Sequence, residues 1–387
     1  MVNMPERTFD MAIKELMDRF FAVVADPYAE AKKRKAQGQK VIGWLPTDVP
    51  EELIHAAGAF PVGILGTNDN IHLADAHLQT WACSLMRGCL ESGLNGTLDF
   101  LDGIIIPHTC DTTRMLVGIW RHNLKTPYID NYLMPRQVDR PSARTYLRGE
   151  LARLKGNLEK CTGKIITDEG LGASINIFND NRIALNRLYQ YHADNTGVFS
   201  SRALYTVIKA AMYMDKTTHT ALVKKLLQEL SRVVAKKDER VRLAVSGGVW
   251  EPPETFDMLE ELGAVVVADD LITGNRYLRA NVTPDGDLLD ALAARQLNRI
   301  PFGGFDSSTL ERRAFLVEMV RKANAKGLVF LHLKFCEPEN YDYNDMREAL
   351  KQAGVLNTRL ETEYGNTSLG QIRTRLQAFI EMTGGNN

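Results

Sequence analysis

The stretch GIIIPHTC, residues 103–110, decides the fold class that this sequence predicts. Three consecutive isoleucines without polar alternation are typical of a strand that is buried on both faces, as in a parallel sheet. A helical pattern follows from about Thr112, and short apolar runs alternate with helical patterns on both sides of the stretch. Because strands and helices alternate, we expect parallel sheets that are covered by helices on both faces.

This alternation occurs in two regions of the chain, which are separated by a long stretch of helical periodicity. The predicted architecture is α/β, with two doubly wound parallel-sheet lobes, a helical segment between them and an N-terminal helix over residues 5–36. The expected segments are an N-terminal helical segment (1–40), a first α/β lobe (41–141), a helical connecting segment (142–240) and a second α/β lobe (241–387).

The composition excludes several classes of protein. The chain has 387 residues, of which 44% are hydrophobic and 25% are charged, so it is long enough for a large core and unlike a disordered chain. Its 47 basic and 48 acidic residues nearly cancel, which argues against a nucleic-acid partner. No run approaches the ~20 apolar residues of a membrane helix, and the N-terminus lacks the layout of a signal peptide. We therefore expect a cytoplasmic protein with no membrane segment.

Common phosphate-binding and hydrolytic motifs are missing from the sequence. It contains no P-loop, no glycine-rich dinucleotide fingerprint, no HExxH and no GxSxG. The chain on its own is therefore not expected to hydrolyse ATP, and its chemistry must lie in other residues.

The five cysteines are the main candidates, because thiols in a cytoplasmic protein are more often ligands or nucleophiles than disulfides. Cys110 and Cys336 each follow a predicted strand and precede a predicted helix, and Cys83 begins a predicted helix. Ligands collect beyond the carboxyl ends of parallel strands, and a helix N-terminus favours a thiolate.

The other two cysteines are predicted to be structural thiols. Cys89 lies six residues after Cys83, about 240° around a helix, and so faces another way. Cys161 lies at a helix end before a predicted strand at 164–167, at the wrong end of that strand. Spacing alone leaves open a metal site between the lobes or ordinary buried thiols, because neither zinc-type CxxC pairs nor a ferredoxin run is present.

Four further residues lie near these positions. His108 is expected to be a hydrogen-bonded framework residue, or alternatively a ligand or proton donor, and His332 is expected to point into the sheet packing. Thr47 and Asp48 follow the first predicted strand, where they could form a pocket rim or cap the helix that begins near Pro50.

Longer motifs around these residues resemble, in order, those of the benzoyl-CoA reductase and 2-hydroxyacyl-CoA dehydratase family, over roughly residues 40–382. The matching segments are PEELIHAAGAFPV at 50–62, Cys83 with RG at 87–88, PHTCD at 107–111 with Arg114, INIFN at 175–179 with Arg182, FCEPE at 335–339 with Tyr341, and GQIRTRLQAF at 370–379.

The resemblance implies a [4Fe–4S] cluster on Cys83, Cys110 and Cys336, with one iron open to another ligand. It also implies a related cluster-bearing subunit as partner. ATP-hydrolysing iron–sulfur subunits would deliver electrons from reduced ferredoxin, and the substrate would be an aryl- or acyl-CoA thioester.

Within the family, the length and wording favour the smaller cluster-bearing subunit of the ATP-dependent reductase. This would be an oxidoreductase acting on CH–CH bonds with ferredoxin as donor, which passes low-potential electrons to benzoyl-CoA and gives cyclohexa-1,5-diene-1-carbonyl-CoA. One alternative is a subunit of a 2-hydroxyacyl-CoA dehydratase, in which a ketyl radical loses water. A non-catalytic partner or cluster-assembly protein is a further alternative.

Overall fold

A computed structural model of the chain describes residues 11–46, 48–67, 70–235, 237–299, 308–364 and 368–384. In these ranges it contains two four-stranded, fully parallel sheets with helices packed around them. The predicted α/β architecture with two parallel-sheet lobes, a helical segment between them and an N-terminal helix is confirmed. The residue ranges proposed for the segments stay a prediction.

The first sheet is built around the run of isoleucines at 104–106. Its strands are β1 (Val41–Trp44), β2 (Phe60–Gly63), β3 (Gly103–His108) and β4 (Tyr128–Leu133), in the spatial order β2-β1-β3-β4. Ile104 and Ile105 of β3 are fully buried, as their apolar character predicts. Gly103 is required at the start of β3 because a Cβ there would lie 2.6 Å from the Tyr128 ring.

The second sheet has the same order of strands as the first. Its strands are β5 (Val241–Gly247), β6 (Ala264–Leu271), β7 (Gly327–Leu333) and β8 (Leu356–Thr362), in the order β6-β5-β7-β8. The chain thus repeats one topology twice, although its sequence shows no clear repeat. Gly247 ends β5 where a Cβ would meet the Leu331 carbonyl oxygen at 1.9 Å, so only glycine fits.

Fifteen α-helices are present in the described ranges. They are α1 (Met11–Ala25), α2 (Ala29–Ala36), α3 (Glu51–Ala56), α4 (Ser84–Leu94), α5 (Asp111–Asn123), α6 (Pro141–Thr162), α7 (Asp168–Asp194), α8 (Ser201–Ala210), α9 (Lys216–Leu230), α10 (Glu254–Glu261), α11 (Asn275–Leu278), α12 (Leu288–Asn298), α13 (Ser308–Lys322), α14 (Glu337–Gln352) and α15 (Leu369–Gly384). Among the residues described above, none of these helices has the length and apolar character needed to span a bilayer.

The helices between the sheets contribute to more than one core. The buried leucines of α6 pack with the first sheet, and this core also contains residues of α12. A second core joins α1 to α7, α8 and α9. Because α12 lies between β6 and β7 in the chain but packs with the first-sheet core, it connects the two lobes.

Several local predictions were wrong. The predicted helix over residues 5–36 is two helices, because Pro27 interrupts the pattern between α1 and α2; residues 1–10 lie outside the described part. Residues 164–167 form no strand, because Gly163, with φ 73°, ends α6 and Thr167 then caps α7. The helix predicted over 342–353 begins earlier, at Glu337.

Candidate functional site

A cavity of about 560 Å³ lies where both sheets present the carboxyl ends of their strands. In each sheet the strand order reverses between the two central strands, and ligands of open α/β sheets bind outside such a switch point. We call it the thiol cavity, and its lining is Pro46, Cys83, Leu85, Met86, Thr109, Cys110, Thr112, Thr113, Gly248, Ile272, Leu333, Phe335, Cys336, Glu337 and Pro338.

Three cysteines line this cavity, and all three occupy the residue immediately before a helix. Cys83 caps α4, Cys110 caps α5 and Cys336 caps α14. Each helix begins with unpaired N–H groups and the positive end of its dipole, which favour a thiolate over a thiol. The structure thus brings together the three cysteines that the sequence singled out, although 226 residues separate the last two.

Without a bound group these thiols are held protonated. Burial raises the pKa of Cys83 to about 12, and the nearby Cys110 contributes to the increase. Burial also raises the pKa of Cys336 well above its usual range, with Cys83 adding to the effect. A buried thiol of this kind becomes a thiolate when it binds a metal, because the metal charge replaces the proton.

The donor set fits an iron–sulfur cluster. Thiolates are the usual cluster ligands, and most of the cavity lining is apolar or hydroxyl-bearing. Within the ranges that the structure describes, no three histidine, cysteine or acidic side chains could hold one metal ion. This agrees with a cluster, because each of its ligands binds a different iron and the ligands therefore stand further apart.

The rim of the thiol cavity carries exposed aromatic side chains. Phe335 lines the cavity, is 51% exposed and has a φ of 61°. A positive φ costs a phenylalanine backbone energy, so the neighbouring structure must hold it there. Trp81 and Tyr341, 67% and 73% exposed, lie within five residues of Cys83 and Cys336 in the chain.

The structure separates the remaining cysteines from the cavity. Cys89 is fully buried on α4, and its thiol donates a 3.5 Å hydrogen bond to the carbonyl oxygen of Ile64. Cys161 lies in the last turn of α6. Neither residue lines the thiol cavity.

The two histidines also lie outside the cavity lining. His108 ends β3, and burial together with Arg136 lowers its pKa. His332 is buried in β7, where its ring packs against Phe330 and Tyr343, as predicted.

A second cavity, also of about 560 Å³, adjoins the first and shares Pro46 and Ile272 with it. We call it the polar cavity. Its lining is Trp44, Pro46, Asp48, Val49, Glu51, Glu52, Phe178, Asn181, Arg182, Met212, Lys216, Ile272, Arg276, Tyr277, Arg295 and Arg299.

Asp48 belongs to this polar lining. Its carboxylate pairs with Arg299 at 3.2 Å, and its φ is 68°. The α3 helix has no side-chain cap, so of the two predicted roles the structure favours the pocket position for Asp48 over capping. Thr47, the other predicted rim residue, lies outside the described residues.

Buried charges on α3 face the polar cavity. Glu52 forms an ion pair with Arg182. Burial raises the pKa of Glu52, but Arg182 and Arg295 lower it more, to about 2. The other carboxylate, Glu51, lies 3.0 Å from the Lys216 ammonium.

Tyr277 completes this group. Its hydroxyl donates a 2.6 Å hydrogen bond to Glu51 and accepts one of 2.8 Å from Lys216, and its ring stacks on Trp44. Burial lowers the pKa of Lys216, while Glu51 opposes that change. The group joins α3, α9 and α11, and so ties the first lobe to elements of both later regions.

A second buried ionic network lies behind Cys336. Arg276 pairs with Asp270 at 2.9 Å and with Glu339 at 3.3 Å. Arg312 pairs with Glu339 at 3.3 Å, so the network joins α11, α13 and the first turn of α14. It therefore fixes the helix that carries Cys336.

Sequence reasoning missed most of the polar cavity. Glu51 and Glu52 were interpreted only as acids that suit a helix N-terminus, but both are at least 95% buried. Arg295 and Arg299 lie on or just after α12, which was not predicted. Arg182 was quoted only as part of a motif, and the sequence carries no local signal that an arginine will be buried.

Together, the fold and site define a protein with two parallel α/β lobes whose strand ends meet at a cavity lined by three cysteines. The sequence profile of the family described as 2-hydroxyglutaryl-CoA dehydratase, D-component, matches residues 46–383, and the chain belongs to this family. The resemblance found in the sequence is therefore confirmed.

Relatives of known name cover most of the chain. It is 31% identical to the (R)-phenyllactyl-CoA dehydratase beta subunit of Clostridium sporogenes, over 94% of this chain and 98% of the relative. It is 30% identical to the beta subunit of (R)-2-hydroxyglutaryl-CoA dehydratase of Acidaminococcus fermentans, over 96% and 100%. It is also 30% identical to one of the subunits of the benzoyl-CoA reductase of Thauera aromatica, over 79% and 81%. These identities do not distinguish a reductase from a dehydratase.

Proposed function

We propose that this chain is the iron–sulfur subunit of a multi-subunit enzyme that acts on CoA thioesters, with a [4Fe–4S] cluster on Cys83, Cys110 and Cys336. One observation carries the proposal: three cysteines distant in sequence begin three helices and line one cavity. When bound, such a cluster supplies one-electron transfer at a potential that its surroundings set.

The surrounding residues support this chemistry in two ways. The three helix N-termini stabilise thiolate charge at the ligand positions. Leu85, Met86, Ile272 and Leu333 line the cavity with apolar surface, which limits the access of water to the bound group.

The exposed aromatic rim supports a protein partner at the mouth of the cavity. Single large apolar residues are common on surfaces, but here Trp81 and Phe335 flank two of the proposed ligands. We propose that a related cluster-bearing subunit covers this rim, and that ATP-hydrolysing iron–sulfur subunits deliver electrons from reduced ferredoxin. A cytoplasmic location is proposed as well, which the five free cysteines support.

For the reaction, we propose the reduction of benzoyl-CoA to cyclohexa-1,5-diene-1-carbonyl-CoA. The motif wording and the similarity to the benzoyl-CoA reductase of Thauera aromatica support this choice. The chain would then be part of an oxidoreductase that acts on CH–CH bonds with ferredoxin as donor.

The second candidate is a subunit of a 2-hydroxyacyl-CoA dehydratase. Two relatives with dehydratase names are matched over 98% and 100% of their length. The polar cavity beside the thiols also suits a polar acyl group better than a phenyl ring.

An anaerobic assay of the complex separates these candidates. The chain is isolated with its native partners and supplied with MgATP, a strong reductant and either benzoyl-CoA or a 2-hydroxyacyl-CoA. A gain of two hydrogens on benzoyl-CoA, with ATP consumed in every turnover, supports the reductase. Loss of water from the hydroxyacyl thioester, with ATP needed only at the start, supports the dehydratase. Turnover of neither thioester contradicts both proposals.

A further inference from the structure

The charges that line the polar cavity do not balance. The cations are Arg182, Lys216, Arg276, Arg295 and Arg299, and the carboxylates are Asp48, Glu51 and Glu52. All but Asp48 are at least 90% buried, so their charges are poorly screened by water.

Each carboxylate of the lining already has a cationic partner. The three ion pairs are Glu52 with Arg182, Glu51 with Lys216 and Asp48 with Arg299. Among the other two cations, Arg276 is neutralised from behind the cavity by Asp270 and Glu339.

Arg295 is different from the other cations of the cavity. Across the described residues it forms no ion pair, and its guanidinium donates only to the backbone carbonyls of Ala280 at 2.8 Å and Arg279 at 3.4 Å. It is 7% exposed, and both burial and the nearby Arg182 and Arg299 disfavour its charge. A guanidinium nevertheless stays protonated in proteins.

A buried arginine without a counter-ion is unfavourable, and such groups are rare unless they are paired. The backbone that receives Arg295 is itself strained, because Ala280 has a φ of 61°. Arginine offers a planar fork of N–H donors that matches a carboxylate. We propose that the polar cavity binds a small carboxylate ligand, and that Arg295 supplies the main charge-assisted hydrogen bonds.

The position of the cavity suggests what the ligand does. Pro46 and Ile272 line both cavities, so a molecule held by Arg295 can extend toward the three cysteines. For a dehydratase the carboxylate could belong to the acyl chain of the thioester. Benzoyl-CoA has no free carboxylate, and with the reductase the occupant would be a separate acid. This link to the thioester rests on the proposed function, but the carboxylate site does not.

Titration calorimetry of the full chain tests the site with three probes: glutarate, glutaryl-CoA and benzoyl-CoA. We expect saturable binding of glutarate, glutaryl-CoA or both. In Arg295→Gln this binding should weaken by about tenfold to hundredfold, because a charge-assisted hydrogen bond is lost. Any binding of benzoyl-CoA should change little. Arg19→Gln, which removes an exposed arginine of α1, is the control and should bind like the wild type.

The two carboxylate probes identify the source of the ligand. Binding of glutarate alone indicates a free acid, and tighter binding of glutaryl-CoA indicates the acyl chain of a thioester. The site is refuted if neither probe binds, or if Arg295→Gln binds them as tightly as the wild type. Iron content is measured on the same samples, so that loss of the carboxylate site can be distinguished from failure of the proposed cluster.

Stability provides a readout that a purely structural arginine would not give. Without ligand, Arg295→Gln should melt at the same temperature as the wild type or higher, because an uncompensated buried charge has been removed. A large decrease in melting temperature would contradict the proposal. Hydrogen–deuterium exchange of the wild type needs no variant: glutarate should slow exchange within residues 279–298, and unchanged exchange there would also contradict it.

Discussion

The pairing of Glu52 with Arg182 makes a quantitative prediction about acid stability. Both side chains are more than 90% buried, and burial, which alone would raise the pKa of Glu52, is outweighed by Arg182 and Arg295. The result is a pKa of about 2 in the folded chain against an ordinary value of 4.5. This difference corresponds to about 3 kcal/mol of folding free energy.

The sign of the effect follows from the direction of the pKa change. A carboxylate whose pKa is lowered by folding stabilises the folded state above its unfolded pKa, and this stabilisation is lost as the pH falls. With the two pKa values above, about 2 kcal/mol should be lost between pH 6 and pH 3. The rest should be lost below pH 3.

The perturbation is Glu52→Gln, which keeps the shape of the side chain but removes its charge. Leaving Arg182 buried without its partner should decrease the free energy of unfolding by about 3–5 kcal/mol at pH 6. Because the wild type loses its advantage in acid, the difference between the two proteins should decrease by about 2 kcal/mol at pH 3.

Urea unfolding followed by tryptophan fluorescence measures this difference at pH 6, 5, 4 and 3. Glu15→Gln, which changes an exposed glutamate of α1, is the control and should stay within about 0.5 kcal/mol of the wild type throughout. If the difference between Glu52→Gln and wild type is the same at all four pH values, Glu52 is not the ionised partner of Arg182.

Three further predictions concern other parts of the molecule. Ala280→Gly should raise the free energy of unfolding by about 1 kcal/mol, because φ is 61° there, whereas Ala294→Gly within α12 should lower it by about 0.5–1 kcal/mol; chemical denaturation compares them. The double variant Trp81→Ser, Phe335→Ser should lose its partner subunit in size-exclusion chromatography without a lower melting temperature, and retained association would refute a role for the rim. The purified chain alone should release no phosphate from MgATP in a colorimetric assay, because it has no P-loop; steady turnover would contradict this.

The sequence predicts the fold and the thiol cavity well, for a local reason. The isoleucines of β3 mark a buried strand, and Cys110 follows that strand directly and begins the next helix. The same order of elements places Cys336 after β7. A residue between a parallel strand and its helix must lie at the carboxyl edge of the sheet, so chain order alone determines where these thiols are.

The polar cavity could not be predicted in this way. Arg295 lies on α12, whose sequence mixes buried polar and apolar residues and shows no clear apolar stripe. Its neighbours Glu52 and Arg182 come from parts of the chain more than 100 residues away. Only tertiary packing shows that these charges share one enclosed space, and only their pairing shows which of them remains uncompensated.

The central claim is that Cys83, Cys110 and Cys336, and no other cysteines, hold a [4Fe–4S] cluster. The most direct test is the iron and acid-labile sulfide content of five single Cys→Ala variants, purified anaerobically with their partner subunit, together with the electron paramagnetic resonance spectrum of each reduced sample. We expect Cys110→Ala and the equivalent changes at 83 and 336 to lose the chain's cluster and its signal. Cys89→Ala and Cys161→Ala should keep both. Full iron and sulfide in Cys110→Ala would contradict the account.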